Sequence, residues 1–261
     1  MPIDPIAVIT IPAGINKGLT SPSNKTLLQI LGMPRDVVTA ECRGVTNQPL
    51  KSLITLDDVG PFRVTGIKPA VASLKRIFKL VKKDLPEVYA ELGTAGMLCV
   101  RTIKNSSKLS NHSWGCAIDI SIGGVLDGLG STKLDGKTLA GLAAMAPYFN
   151  DEGWYWGVGF SKFEDGMHFE IAEETLRAWH ADGTLGKKAG ARTTTSTSLS
   201  KGDSGERVKE IQRALADKGY DIMTDGEFGP ITEGIVIEFQ SDNGLEPDGI
   251  VGPKTLKALL G

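Results

Sequence analysis

Histidine and cysteine are scarce in this chain, three of each in 261 residues, and aromatic residues make up only 6%. Cys42, Cys99 and Cys116 are odd in number and contain no C-x-x-C pair. That excludes a disulfide framework and a thiolate zinc cluster, and buried free thiols are expected instead. No apolar run approaches the ~18 residues that cross a bilayer. The longest candidate, "IAVITIPAGI", is broken by Pro12, so membrane insertion is not expected. The opening "MPIDPIAV" lacks the positive start of a secretory signal, since its first charge is Asp4 and its first lysine Lys17. A dense basic surface is missing as well. Leu199–Gly261 holds seven Lys/Arg against twelve Asp/Glu, a net of −5, which leaves +3 for the rest of a chain whose formal charge is −2. Nucleic-acid binding is thereby excluded. What is present is 41% hydrophobic residues, ordinary for a globular protein, and a monomer is the expected state.

One stretch, "KKAGARTTTSTSLS", has almost no large apolar residue and cannot bury enough surface to fold. It reads as a flexible linker over 187–198 between a domain at 1–186 and a minimal one at 199–261. The smaller domain repeats itself: "DGEFGPIT" (Asp225 to Thr232) returns 23 residues later as "DGIVGPKT" (Asp248 to Thr255). In each copy a D-G turn leads to a Gly-Pro pair with proline at the first helical position, where its missing N–H costs nothing. The faces predicted for these helices are Ile231, Ile235 and Phe239, then Leu256, Leu259 and Leu260. A helix ahead of them carries Val208, Ile211, Ala214 and Leu215, with Asp203 as its expected cap, Glu206 three residues on and Gly219 as its stop. The D-G turns lack the D-x-D-x-D-G run of a calcium loop. Together "KGDSGERVKEIQRAL" and the doubled D-G-x-x-G-P-x-T resemble the three-helix peptidoglycan-binding domain of cell-wall hydrolases. Gly234 departs from that family's usual alanine.

In the larger domain a long irregular stretch precedes "KPAVASLKRIFKLVKKDL", whose Val71, Leu74, Phe78, Val81 and Leu85 predict an amphipathic helix starting at Pro69. "GMLCVRTI", "AIDISI", "GWYWGVGF" and "MHFEI" read as strands, with a helix around Leu139, Leu142, Met145 and Phe149. The fold class expected is α+β, a small antiparallel sheet flanked by helices, followed by the all-α bundle.

Two imidazoles and one carboxylate are the ligand set of a catalytic zinc ion, which keeps a fourth position for water. His112, Asp119 and His168 offer such a set, although spacing alone does not single them out. Glycines at Gly115 and Gly123 would let the backbone bend around it. The pattern Ser110-x-His112-x-x-Gly115-x-Ala117-x-Asp119, followed by Asp165-x-x-His168, resembles the zinc peptidases of bacterial cell walls. That family includes the D-Ala-D-Ala carboxypeptidases of the vancomycin-resistance type and the L-alanyl-D-glutamate peptidases of phage endolysins. The resemblance covers about 68–180. It implies Zn2+ held by His112, Asp119 and His168, Asp165 as general base with a side chain shorter than the glutamate of many members, and Arg101 polarising the scissile carbonyl. An ion pair is the other reading of Arg101.

Other residues have plainer expectations. Glu170 could orient a ligand, and Trp154 and Trp156 share a strand face that could line a groove or pack in the core. Ser110 is expected to hold its loop by hydrogen bonding, His180 to lie on the surface, and Glu173 and Glu174 to form the solvated first turn of a last helix. The two resemblances converge on one substrate, the stem peptide of bacterial peptidoglycan, with the small module raising local substrate concentration. The competing expectation is a wall-binding protein that no longer cuts. Action outside the cytoplasm is implied. Without a recognisable signal, a phage endolysin released through a holin pore is the expected route.

Overall fold

A computed structural model of the chain describes residues 3–104, 106–128, 134–186 and 198–260. It divides into two compact units, Met1–Leu185 and Gly186–Gly261. The expected linker lies outside the described residues except for Ser198. No helix of the described residues is long and apolar enough to cross a membrane.

The first unit opens with β1 (Val8–Thr10), α1 (Asn24–Leu31), α2 (Leu50–Leu53) and the hairpin β2 (Ile54–Asp58) and β3 (Arg63–Ile67), so the stretch read as irregular carries structure. The amphipathic helix follows as α3 (Lys68–Asp84), with Val71, Leu74, Phe78 and Val81 buried. Leu85 and Pro86 end it, proline being unable to continue a helix, and α4 (Pro86–Ala90) starts there. Next come β4 (Leu92–Gly96), β5 (Ala117–Ile122), β6 (Lys137–Leu139), α5 (Ala140–Asp151), β7 (Trp154–Trp156), β8 (His168–Ile171) and α6 (Glu173–Ala181). The central sheet is antiparallel in the order β4-β5-β8-β7, while β1 pairs with β6 and β2 with β3. The α+β architecture is therefore as expected.

Alternation along the strands decides what each face does. Ile118 opposes Phe169, and Trp156 opposes Phe169 from the other side, while Trp154 opposes Ile171. These side chains are buried on the core face with Phe149 and Phe78. Phe149 and Phe169 pack as a tilted pair with ring centroids 4.1 Å apart, and Phe149 meets Phe78 edge-on at 6.0 Å. Both tryptophans are thus core residues. Their indole N–H groups find buried partners as such residues require: Trp154 donates to Ser73 Oγ at 2.9 Å and Trp156 to the Gly166 carbonyl at 2.7 Å. The second bond pins the turn that leads into β8 from behind.

Two expectations are corrected here. The strand read at "GMLCVRTI" ends at Gly96 instead, where a bulge interrupts its pairing with β5, and beyond it only isolated bridges form. One of those bridges, Arg43 with Val100, brings Cys42 and Cys99 to a Cα separation of 5.1 Å, and they are joined as a disulfide. Neither is a buried free thiol; only Cys116 is. The partners are 57 residues apart, and their pairing is made by tertiary structure that spacing cannot reveal.

The second unit contains α7 (Glu206–Asp217), α8 (Pro230–Asp242) and α9 (Pro253–Leu260) around Val208, Ile211, Leu215, Phe228, Val236, Phe239, Val251 and Leu259. Its repeat has a polar centre. Gln212, buried in α7, donates to Asp225 Oδ1 (2.7 Å), the Glu227 carbonyl (3.0 Å) and Thr232 Oγ1 (3.2 Å), and accepts from Gly226 N (2.7 Å). Gln240, buried in α8, does the same with Asp248 (2.8 Å), the Ile250 carbonyl (3.0 Å), Thr255 (3.2 Å) and Gly249 N (2.9 Å). The Asp and Thr of each D-G-x-x-G-P-x-T therefore exist to satisfy one buried glutamine amide, whose unpaired atoms would be costly. The networks turn Thr232 and Gln240 inward, so the predicted faces are rotated. Ile231 is 60% and Leu260 62% exposed, and Val236 takes the core position. Asp203 is not the cap of α7: Gly205 is, and Asp203 accepts from Ser200 N.

Gly234 lies inside α8, and a Cβ there meets nothing within 4 Å. Gly234→Ala is expected to stabilise the small unit by up to ~1 kcal/mol, read as a higher midpoint in denaturant; an unchanged or lower midpoint would contradict it.

Candidate metal centre

The sequence brings the three candidate ligands together through a strand register and a tight turn. Asp119 in β5 and His168 in β8 are direct cross-strand partners, so both side chains leave the sheet on the same face, opposite the core. His112 comes from a single 3₁₀ turn, Asn111–Trp114, that ends at Gly115 in the left-handed conformation. A Cβ at Gly115 would stand 2.9 Å from Gly66 Cα, and its carbonyl accepts from Ile67 N. Only glycine allows that approach. The turn is held through the Ser110 carbonyl, which accepts from Ser113 N, and through the Ser113 hydroxyl, which donates to the Arg101 carbonyl at 3.1 Å and accepts from Arg101 N at 3.2 Å. Ser110 holds the loop through its backbone, its N–H donating to the Arg101 carbonyl at 3.0 Å, and the side-chain bonds come from Ser113.

Three ligand atoms converge within 4.8 Å of one another, one each from His112, Asp119 and His168. Nε2 of His112 lies 3.2 Å from Asp119 Oδ1 and 3.3 Å from His168 Nδ1, and Asp119 Oδ1 lies 3.0 Å from His168 Nδ1. The outer ring nitrogens face acceptors. His112 Nδ1 sits 3.0 Å from the Met97 carbonyl, and His168 Nε2 3.0 Å from Glu170 Oε2. A carbonyl and a carboxylate supply no proton, so the outer nitrogens donate; the inner ones hydrogen-bond Asp119 when no ion is bound and would turn lone pairs to a metal at the point of convergence. That is the arrangement in which imidazoles bind metals. The donor set, two imidazole nitrogens and one carboxylate oxygen, suits zinc. Burial would lift the Asp119 pKa, but the hydrogen bonds with His112 and His168 outweigh it and hold the carboxyl below the usual range. Burial likewise pulls His168 down, while Asp119 and Glu170 together hold it well above an ordinary histidine.

Glu170 is fully buried. Its Oε2 also accepts from Asn111 Nδ2 at 2.7 Å, and Asn111 reaches on to the Pro22 carbonyl, while Asn24 donates to Asn111 Oδ1. The centre is thus tied to the start of α1, far upstream of the motifs. Glu173 and Glu174 make further ties and are not simply solvated: Glu174 accepts from Thr20 N and Oγ1, and Glu173 from Ser23 N. His180 is half-buried in the last turn of α6 and takes no part in the cavity.

A cavity of ≈ 870 Å³ opens onto the three candidate ligands, and Asp165 and Arg101 line it too. Asp165 sits in the turn before β8, where its carbonyl accepts from His168 N. Desolvation pushes its pKa up to about 6. Among the described residues, Asp165 Oδ1 and Glu170 Oε1 are the buried side-chain oxygens without a hydrogen-bond partner. Arg101 makes no ion pair with a described carboxylate; its guanidinium donates to the Thr102 carbonyl at 3.4 Å. Tyr155, which opposes Glu170 across β7 and β8, faces the cavity where the two tryptophans do not. The alternation that sends Trp154 and Trp156 to the core could have flagged it.

Comparison with known proteins gives a consistent picture. Residues 104–171 match the family described as D-alanyl-D-alanine carboxypeptidase, and residues 204–259 the family described as putative peptidoglycan binding domain. The first interval holds His112, Asp119, Asp165 and His168 but not Arg101. Over 92 residues the chain is 40% identical to the zinc D-Ala-D-Ala carboxypeptidase of Streptomyces albus G, covering 34% of this chain and 35% of that protein. It is 37% identical over 90 residues to a probable N-acetylmuramoyl-L-alanine amidase of Bacillus licheniformis, 30% of this chain and 25% of the amidase. Among solved structures, a Burkholderia AP3 phage endolysin shares 39% identity over 24% of this chain and 25% of its own, with a TM-score of 0.24. The chain spans about a third of the carboxypeptidase and a quarter of the amidase.

Proposed function

We propose that this chain, which joins a segment of the D-alanyl-D-alanine carboxypeptidase type to a peptidoglycan-binding module, is a zinc-dependent peptidase that hydrolyses an amide bond in the stem peptide of bacterial peptidoglycan. The observation that carries this reading is the convergence of two imidazole nitrogens and one carboxylate oxygen within 4.8 Å of one another in the lining of a cavity. His112, Asp119 and His168 would hold the ion. When bound, zinc supplies Lewis acidity, making a water acidic near neutral pH and stabilising charge on the carbonyl oxygen.

The remaining chemistry belongs to the protein. Asp165, with a pKa near 6, is a base poised for neutral pH: it takes the proton of the attacking water and delivers it to the departing amine. Its unpartnered Oδ1 is the free acceptor for that proton. Arg101 donates to the scissile carbonyl oxygen, an assignment supported by its place in the cavity lining and the absence of a described carboxylate partner. Glu170 keeps His168 in the tautomer that presents Nδ1. The small module holds the catalytic unit at the wall, so substrate reaches the cavity at high local concentration. Action at the cell wall follows.

Digestion of purified peptidoglycan by the zinc-loaded full chain tests the proposal. Release of new amino groups that stops on chelation and returns with zinc is expected. Stoichiometric zinc without any release would leave a wall-binding protein. Mass spectrometry of a defined muropeptide then separates loss of terminal D-Ala, a carboxypeptidase, from a freed L-Ala end, an endopeptidase. A further expected result concerns Glu170→Gln, which weakens the hydrogen bond that orients His168. It should lower zinc affinity by about 10–100-fold, measured by chelator competition; unchanged affinity would remove Glu170 from this role.

A further inference from the structure

Asp165 Oδ1 is buried and accepts no hydrogen bond, so its place is set by the backbone that carries it. The turn from Glu164 to Met167 is held on two sides. From β7 and the residue after it, Trp156 Nε1 donates to the Gly166 carbonyl at 2.7 Å, and the Gly157 carbonyl accepts from Asp165 N at 3.2 Å. On the other side stands the segment between β5 and β6. Its Asp127 carbonyl accepts from Met167 N at 2.8 Å, and the Glu164 carboxylate accepts from Asp135 N at 2.9 Å and Gly136 N at 3.0 Å. Asp127 is itself rooted: its Oδ2 accepts from Thr138 Oγ1 at 2.6 Å and from Leu139 N at 3.1 Å. Those donors belong to β6, which is paired with β1 and runs straight into α5. The approach to the turn is close. A Cβ at Gly128, whose φ is +87°, would stand 2.9 Å from Asp165 Cα, and a Cβ at Gly166 would run into the Asp127 carboxylate. One side chain thus fastens a segment to β6, and the same residue's backbone fastens the Asp165 turn to that segment.

We propose that Asp127 is a positioning residue for Asp165: anchored to Thr138 and Leu139, it holds the turn that keeps the Asp165 carboxyl in the cavity lining beside His112, Asp119 and His168. The inference rests on the peptidase reading, in which Asp165 is the base. Asp127 does not itself line the cavity, so it acts on the substrate only through Asp165. Its worth is geometric, because a reacting group displaced by about 1 Å loses much of its rate.

The test measures turnover of a defined muropeptide by the zinc-loaded full chain and, separately, amide hydrogen exchange in the metal-free protein. Asp127→Ala should lower kcat by about 10–100-fold, with KM and zinc affinity kept. Asp127→Asn, whose amide oxygen still accepts from Thr138 and Leu139, should recover most of that loss. In an Asp165→Asn background, Asp127→Ala should leave the residual rate within about threefold, since residues that act through one group are not additive. A merely structural role would cost the same factor in both backgrounds. In the apoprotein, Asp127→Ala should speed exchange of the Asp165 and Met167 amides while those of α3 keep their protection. Thr138→Val removes one of the two donors at nearly constant volume. It should move kcat and exchange in the same direction by less, and it carries the test if Asp127→Ala does not fold. Unchanged kcat, an equal loss in both backgrounds, or unaltered exchange at the turn overturns the inference. A parent chain that cuts nothing overturns the peptidase reading instead, and the exchange result then still decides whether Asp127 holds the turn.

Discussion

Asp165→Asn is expected to slow peptide cleavage by about 10²–10⁴-fold, the usual worth of a general acid–base group, while zinc uptake stays unchanged. Asparagine keeps the shape of the side chain but cannot take the proton of the attacking water. The same substitution should make the metal-free protein more stable. The Asp165 carboxyl is desolvated, one of its oxygens has no partner, and its pKa is pushed up to about 6. A carboxyl raised in this way is held more tightly as the acid in the folded state than in the unfolded chain. Its stabilising contribution is complete below the ordinary carboxyl pKa of about 4 and is lost as pH rises through about 6. The unsubstituted apoprotein should therefore fall behind Asp165→Asn across that window, by about 2–3 kcal/mol at neutral pH. Asp119, held below the usual range, titrates with the opposite sign and at lower pH, outside the window. Denaturant titrations of both proteins at a series of pH values, paired with turnover and metal content, check the prediction. Activity within a factor of about ten of the parent would be too high for a general base.

His112→Ala should behave in the opposite manner, losing metal and activity together. Removing the imidazole deletes one of three converging donors, and the loss in zinc affinity should exceed the about 10–100-fold that follows when only a ligand's hydrogen-bond partner is removed. The Met97 carbonyl loses its donor, and Asp119 loses one of the two histidine contacts that keep it ionised. The purified variant should carry no stoichiometric zinc and cut no peptide. Metal analysis by mass spectrometry provides the check, and a variant that keeps both zinc and turnover would exclude His112 as a ligand. Read together, the two substitutions separate holding the ion from moving the proton.

Much of this was legible in the sequence, for reasons that differ by element. The helix α3 announces itself through apolar spacing because it buries one face against the core, whereas α5 is legible as an apolar run, buried on most sides of its first two turns. The doubled D-G-x-x-G-P-x-T marks the small unit because each copy serves the same turn. The partners that complete these motifs lie elsewhere in the chain: Gln212 and Gln240 are ordinary helix residues in sequence, and only the folded bundle shows that the repeated Asp and Thr bind them. His112, Asp119 and His168 could be chosen as a ligand set, whereas the Met97 carbonyl, Asn111 and Asn24 could not, since their contributions come from backbone or amide groups with no distinctive spacing. Tyr155 was hidden behind its larger neighbours, although strand alternation placed it opposite them. The Cys42–Cys99 pairing was missed because a bridge between two irregular segments brings the thiols together, and no local pattern encodes such a bridge.

The pairing of Asp119 with His168 has one more consequence. Side chains alternate across a sheet, so sliding β8 by a single residue against β5 would carry Phe169 into the cavity and bury His168 in the hydrocarbon interior. No half-formed version of the centre exists between those two alignments. An ion gripping both strands, as proposed above, would act as a rivet through the middle of the sheet, rewarding one alignment and rejecting its neighbour.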